Sequence, residues 1–284
     1  MEKVIVVIGP TSVGKTKMGV ALAKKFNGEV ISGDSMQIYK QMDIGTAKVT
    51  EEEKEGIIHH CVDILNPDET YSVHDFQQTV RKKITEITQR GHVPIIVGGT
   101  GLYIKAALYD YQFDEMENDH HAINEKYKDY TNEQLHDHLK LIDEESAKTL
   151  HFNNRRRVLR AIEIYETTGK RKSEMLEEQE HICLYDAYFV GLTLPRDVLY
   201  ERINKRVDVM MENGLKEEMD CLYSQGLTRN HQSMKAIGYK EWFDYYDHQI
   251  DLNDVLELIK KHSRQYAKRQ YTWFKNQFDV HWYD

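Results

Sequence analysis

Gly9-Pro10-Thr11-Ser12-Val13-Gly14-Lys15-Thr16 has the residue types and spacing of an anion cradle, G-x-x-x-x-G-K-[ST]. Its glycines let the backbone curl until successive N–H groups face one phosphate. Lys15 adds a full positive charge, and the Thr16 hydroxyl is a hard oxygen suited to Mg²⁺. Such a loop binds a di- or triphosphate. Further along, Arg156, Arg157 and Arg160 fall at i, i+1 and i+4, which gathers three cations on one helical turn. Few acids lie close to them in sequence, which favours phosphate contacts over a salt-bridged face. Residues 258–278 hold six Lys/Arg and no acid, interleaved with Tyr266, Tyr271, Trp273 and Phe274. Cations that take phosphates and rings that stack on bases suit a nucleic-acid surface. Rings at helical spacing also suit a core, and at least one of Trp273 and Phe274 is expected there.

These groups need elements to hold them. Residues 3–8 form a short apolar, β-branched run that predicts a buried strand. Met18, Ala21, Leu22 and Phe26 recur at helical spacing over 15–26, so the cradle sits between strand and helix. The start of that helix adds its partial positive charge. A second strand is predicted over 29–33. It delivers Asp34 to the carboxyl end of a parallel sheet, where ligands collect. Asp is also a favoured helix N-cap, so residue type alone leaves both roles open. A third strand is predicted over 59–65, with Asp63 placed as the Mg²⁺-holding acid of a nucleotide hydrolase would be. Ser72 and Asp75 form a capping box that opens a helix to about Arg90, closed by Gly91. The strand over 93–97 runs into Gly98-Gly99-Thr100-Gly101, where a hydrolase would place an acid. Glycines there admit the close approach of something bulky.

Beyond about residue 110 the strand rhythm stops, and residues 113–185 read as helical. The sheet resumes over 188–194, followed by a helix carrying Arg202, Lys205 and Arg206. The expected fold is α/β. A parallel sheet of the P-loop NTPase-like kind is flanked by helices and interrupted by an all-helical insertion domain. The core comprises 1–112 and 186–284, and the insert 113–185. Residues 110–150 hold twelve acids against four lysines, and the whole chain of 284 residues carries a net charge of −9. Nothing global therefore marks a nucleic-acid binder; only local basic stripes do. No apolar run reaches the length of a membrane span. Cys61, Cys183 and Cys221 are isolated, which excludes a cysteine-based zinc site and points to a reducing, cytoplasmic compartment.

The ordered set of motifs resembles the tRNA dimethylallyltransferase (IPP transferase) family, bacterial type. G-P-T-S-V-G-K-T at 9–16, D-S-M-Q-I-Y at 34–39, G-G-T-G-L-Y at 98–103, R-V-x-R-A-x-E at 157–163, I-G-Y-K at 237–240 and A-K-R-Q-x-T-W-F at 267–274 follow the family's order along nearly the whole chain. The resemblance implies transfer of a dimethylallyl group from dimethylallyl diphosphate to N6 of the adenosine 3′ of the anticodon, with Mg²⁺ as cofactor. By that resemblance Asp34 is the base, and Lys15, Thr16 and Thr100 complete the catalytic set. Gly9 to Thr16 and Arg206 hold the diphosphate. Asp34, Ser35, Met36 and Gln37 meet the extruded adenine. Arg156, Arg157 and Arg160 grip the anticodon stem-loop, with Arg156 standing where many bacterial relatives have Gln. Lys235, Gly238, Tyr239, Lys268, Arg269 and Trp273 are further expected tRNA contacts. The chain stops at Asp284, early for the family, so a C-terminal tRNA contact is expected to be missing. A monomer without membrane attachment is expected. The competing reading is a P-loop kinase for a small molecule or nucleotide, with Asp34 as base to a hydroxyl and 155–160 as an arginine lid. A third is a non-catalytic, GTPase-like RNA-binding module, although no guanine-specifying loop is evident.

Overall fold

In a computed structural model, residues 1–111, 120–177 and 181–284 are described. They divide into two compact units, Met1–Tyr109 with Cys183–Asp284, and Asp110–Ile182. The boundary expected at 112/113 lies outside the described residues. At the other end the division falls three residues ahead of the expected 185/186.

The first unit runs β1 (Lys3–Ile8), α1 (Lys15–Phe26), β2 (Gly28–Ser32), α2 (Glu51–Lys54), β3 (His59–His60), α3 (Val73–Gln89), β4 (Val93–Gly98) and α4 (Gly101–Leu108). The second unit holds α5 (His120–Lys126), α6 (Asn132–Ile142), α7 (Glu144–Thr149), α8 (Arg155–Thr168) and α9 (Lys172–Glu177). The first then resumes with β5 (Asp186–Leu192), α10 (Arg196–Glu212), α11 (Leu215–Ser224), α12 (Trp242–Tyr246), α13 (Leu252–Gln277) and β6 (His281–Tyr283). The sheet order is β3-β2-β4-β1-β5-β6, and every pairing is parallel. Parallel sheets need both faces covered, and alternation along the strands supplies two cores. Val4, Val6 and Ile8 of β1 join Ile31 and Ile96 against α3, α4 and α11, whereas Val7, Val30 and Ile95 pack with Ala23 of α1 and Leu199 and Ile203 of α10. The second unit has its own core of Leu135, Leu139, Val158, Leu159 and Ile162.

Two local expectations are corrected and one open choice is resolved. The third strand ends at His60 instead of 65, because Cys61 and Asp63 take φ of 60° and 55°, outside the β region. Asp63 is turned to Lys48 (2.6 Å), whose ammonium also bonds Asp43 and the Tyr39 carbonyl, so it is an ion-pair partner and lines no part of the cleft described below. Asp34 starts no helix; its Oδ1 instead accepts from Met36 N–H at 2.9 Å and closes a tight turn. Pro195 holds the N-cap place of α10, and Asp197 lies in its first turn, where its charge suits the helix dipole.

At the start of β2, the Glu29 carboxylate is 2% exposed and receives hydrogen bonds from Arg90 (2.7 and 3.1 Å), with His60 (2.6 Å) and His92 (2.7 Å) also in contact. Burial alone pushes this carboxyl up, but the bonds from Arg90, His60 and His92 outweigh it and bring it down to about 2. A depressed folded-state pKa means stability that is full above the unfolded value near 4.5 and is lost as pH falls towards 2. Urea midpoints measured between pH 6 and 3 are therefore expected to drop more steeply for the parent chain than for Glu29→Gln.

Candidate active site

A cleft of about 380 Å³ opens in the first unit at the carboxyl ends of β1 and β2. Gly9 and Gly14 take φ of 149° and 105°, and a Cβ at Gly9 would stand 2.6 Å from the Leu192 carbonyl. Only glycine lets the loop turn there. Thr11, Ser12, Gly14, Lys15 and Thr16 line the cleft. Pro10 and Val13 stand behind them. Val13 packs into the core beside α1, and the Pro10 carbonyl accepts from Lys15 Nζ at 2.8 Å. The first intrahelical bond of α1 runs from Met18 N–H to Gly14, so the amides ahead of it are the unpaired donors of a helix start. Burial pushes the Lys15 ammonium down to about 8; the negative charge of Asp34 opposes that, and the positive charge of Arg206 lowers it further.

Asp34 lines the same cleft, with Gln37, Arg202 and Arg206. Arg206 reaches back from α10 to the Thr11 and Ser12 hydroxyls at 3.4 and 3.5 Å. Burial lowers its pKa, and the charges of Glu53 and Asp34 oppose that. Thr100 does not line the cleft; it stands one residue layer away and fixes the turn that carries Asp34. Its Oγ1 accepts from Ser35 N–H at 3.2 Å, and its hydroxyl donates to Ser35 Oγ at 3.3 Å. Gln37 is tied to the 46–47 loop through bonds to the Thr46 and Ala47 carbonyls at 3.5 and 3.3 Å. Met36 packs its side chain against the core. Val30, Ala47, Val49 and Val97 give the cleft an apolar wall, flanked by Glu53 and His59. No motif marked that wall, because it is assembled from three separate strand ends and loops.

Two expected tRNA contacts are buried. Tyr239 is 0% exposed, donates to Glu218 at 2.6 Å and lies against Gly45, where a Cβ would sit 2.5 Å from its ring. Gly238 has φ 98°, donates to Glu241 and accepts from the Trp242 indole. Both hold the fold, and Lys235 beside them is exposed. Lys268 and Arg269 are exposed on α13, with Arg269 over the Tyr266 ring. Phe274 is fully buried, and Trp273 packs edge-on to Phe274 and Phe278. Trp273 also fills the space that a Cβ on Gly101 would take, at 2.2 Å. The bulky group admitted by the glycines after β4 is thus the protein's own last helix. In the second unit, Arg156 and Arg157 are exposed, but Arg160 pairs with the buried Glu163 at 2.8 Å. One of the few acids close in sequence, Glu163, does neutralise Arg160, so the expected phosphate contact is weakened there.

Tyr266 and Gln270, one turn apart on α13, are site neighbours; Gln270 falls in the 267–274 motif, but neither residue is assigned to the cleft by its local pattern. Tyr266 donates to the Gly99 carbonyl at 3.4 Å, and burial, with the nearby charge of Asp34, pushes its hydroxyl up to about 12. Gln270 stands on a stripe with Ile259, Ala267 and Phe274, all buried. A polar amide on an apolar stripe was the available signal.

A parallel sheet whose central strand feeds a phosphate cradle, with a carboxylate from the end of β2 in the same cleft, defines a P-loop group-transfer protein. Known proteins narrow the class. The family model for IPP transferase matches residues 37–277. The "tRNA dimethylallyltransferase" of Bacillus cereus (strain AH187) is 54% identical over 286 residues, covering all of this chain and 90% of the relative. Among solved structures, the full-length tRNA isopentenylpyrophosphate transferase of Bacillus halodurans aligns with TM-score 0.76 and 47% identity, over all of this chain and 90% of that one. A eukaryotic dimethylallyltransferase described as acting on tRNA aligns with TM-score 0.88 and 34% identity, over all of this chain and 74% of that one. The chain belongs to the IPP transferase family.

Proposed function

We infer that the chain transfers the dimethylallyl group of dimethylallyl diphosphate to N6 of the adenosine 3′-adjacent to the anticodon in tRNA. The products are N6-isopentenyladenosine and diphosphate. The observation that carries the residue roles is that Lys15 and Asp34 line one cleft, close enough for the carboxylate to stabilise the ammonium. The amides of the loop, Lys15 and Arg206 hold the diphosphate and the negative charge that grows on it as the allylic C–O bond breaks. The adenine amine attacks the allylic carbon, a C–N bond forms, and the N6 proton passes to Asp34. Thr100, through Ser35, keeps the Asp34 turn in place. The target base must leave the anticodon-loop stack to reach this cleft.

Mg²⁺ fits the donor set. Among the described residues no group of three His, Cys, Asp or Glu is placed to hold a metal, but Mg²⁺ commonly uses one protein oxygen and substrate phosphates. The Thr16 hydroxyl in the cleft is that oxygen. When bound, the ion neutralises charge on the leaving diphosphate. Among the described residues no helix is long and apolar enough to cross a membrane. Three free cysteines and a tRNA substrate support a cytoplasmic setting.

The test is incubation with unmodified tRNA, dimethylallyl diphosphate and Mg²⁺, followed by nucleoside mass analysis. Isopentenyladenosine is the expected product. Phosphoryl transfer from ATP with no isopentenyladenosine formed would refute the assignment. Arg156 and Arg157 are assigned to tRNA phosphates. Replacing both by Ala is expected to weaken tRNA binding and to make the slope of log affinity against log salt shallower by about 1 to 2. Filter binding across a salt series checks this; an unchanged slope makes both solvated surface charges. Arg160→Ala is expected instead to lower the melting temperature, since Glu163 loses its cation.

A further inference from the structure

The Gln270 side chain is 6% exposed and spans two loops. Its Oε1 accepts from Thr11 N–H of the phosphate cradle at 2.9 Å, and its Nε2 donates to the Gly99 carbonyl at 3.0 Å. Gly99 precedes Thr100, which holds Ser35 and hence the Asp34 turn. Gly99 is shaped for this contact: a Cβ there would stand 2.2 Å from Nε2, so any side chain would displace the amide. Thr11 N–H lies ahead of the helix-start amides of α1, which Gln270 leaves untouched. One primary amide thus ties the donor side of the cleft to the acceptor side. An amide is the side chain that meets both needs, with one acceptor and one donor on a rigid plane.

We propose that Gln270 is a positioning residue that sets the distance between the diphosphate cradle and the Asp34 carboxylate. The proposal rests on the roles given above to the cradle and to Asp34. Its consequence is specific. The donor's ground-state contacts survive loss of the amide, but the two reacting centres lose their fixed separation. Misplacement of reacting groups by about an ångström costs on the order of 100-fold in rate.

Gln270→Leu, close in volume and free of polar atoms, is therefore expected to lower kcat roughly 10- to 100-fold with the KM for dimethylallyl diphosphate changed less than about threefold. Gly99→Ala displaces the same amide from the opposite side and is expected to reproduce that split. Gln270→Glu gives a readout that a packing role would not move. Ionised, it accepts from Thr11 and repels the Gly99 carbonyl; protonated, it again offers one acceptor and one donor. Its activity relative to the parent chain is expected to rise as pH falls from 8 to 5.5. An unchanged kcat in Gln270→Leu overturns the proposal, as does a higher donor KM at unchanged kcat. If Gln270→Leu fails to fold, a flat activity ratio for Gln270→Glu across pH overturns it. Asp34→Asn is assayed in parallel. Full activity there, with the Gln270 split intact, removes the role of Asp34 and leaves the two-loop tie standing.

Discussion

Asp34→Asn lowers the turnover of tRNA roughly 10²- to 10⁴-fold and leaves the KM for dimethylallyl diphosphate at or below that of the parent chain. The substitution is isosteric. Its side-chain carbonyl still accepts from Met36 N–H, as Oδ1 does at 2.9 Å, so the turn between Ser32 and Gln37 is kept. What is lost is the negative charge. An adenine amine is a poor nucleophile because its lone pair is delocalised into the ring. As the C–N bond forms, its proton becomes acidic, and an amide cannot take it. Donor binding moves the other way. The Asp34 charge lies near Lys15 and Arg206, two of the cations beside the cradle, so its removal leaves the site more positive for an incoming diphosphate. Steady-state assays at saturating tRNA, with a calorimetric titration of the donor, separate the two effects. Parental turnover in the Asn variant would take the base role away from Asp34.

Lys15→Ala is expected to damage binding and chemistry together, by roughly 10²- to 10³-fold in kcat and with a raised donor KM. The ammonium interacts with the diphosphate in the ground state and more strongly as the leaving group gains charge. The parent chain also carries a pH signature of this residue. Burial brings Lys15 down to about 8 in the free protein. A bound diphosphate favours the charged form and raises that value, so binding takes up a proton once pH exceeds about 8. Donor affinity is expected to be flat below that pH and to fall above it, by up to about tenfold per pH unit. The step should vanish in Lys15→Ala. Donor titrations from pH 6.5 to 9.5 check it, and a step that persists in the variant assigns the titration to another group.

Local rules sufficed where one short segment contained the whole cause. The cradle, α1 and the capping box at Ser72 and Asp75 each follow from residues within a single turn or strand. The sequence also determined that Asp34 leaves the end of a parallel strand beside that cradle. The order of motifs identified the chemistry, because each stretch carries residues the reaction needs. What it left open concerned partners far apart in the chain. Asp63 followed the pattern of a metal-holding acid, yet Lys48 claims it, since a buried ammonium needs a carboxylate more than the cleft does. Tyr239 lay in a motif that suggested a tRNA contact, yet its ring fills the space over Gly45.

The glycines after β4 are the clearest division between the two sources. Residue type showed that something must come close to that backbone. Only the packed chain shows that it is Gln270 and Trp273, some 170 residues away in sequence. Composition and spacing decide which groups are available and which element presents them, because those causes act over a few residues. Which distant group closes on which is decided by close packing around the finished sheet, and no local pattern encodes that.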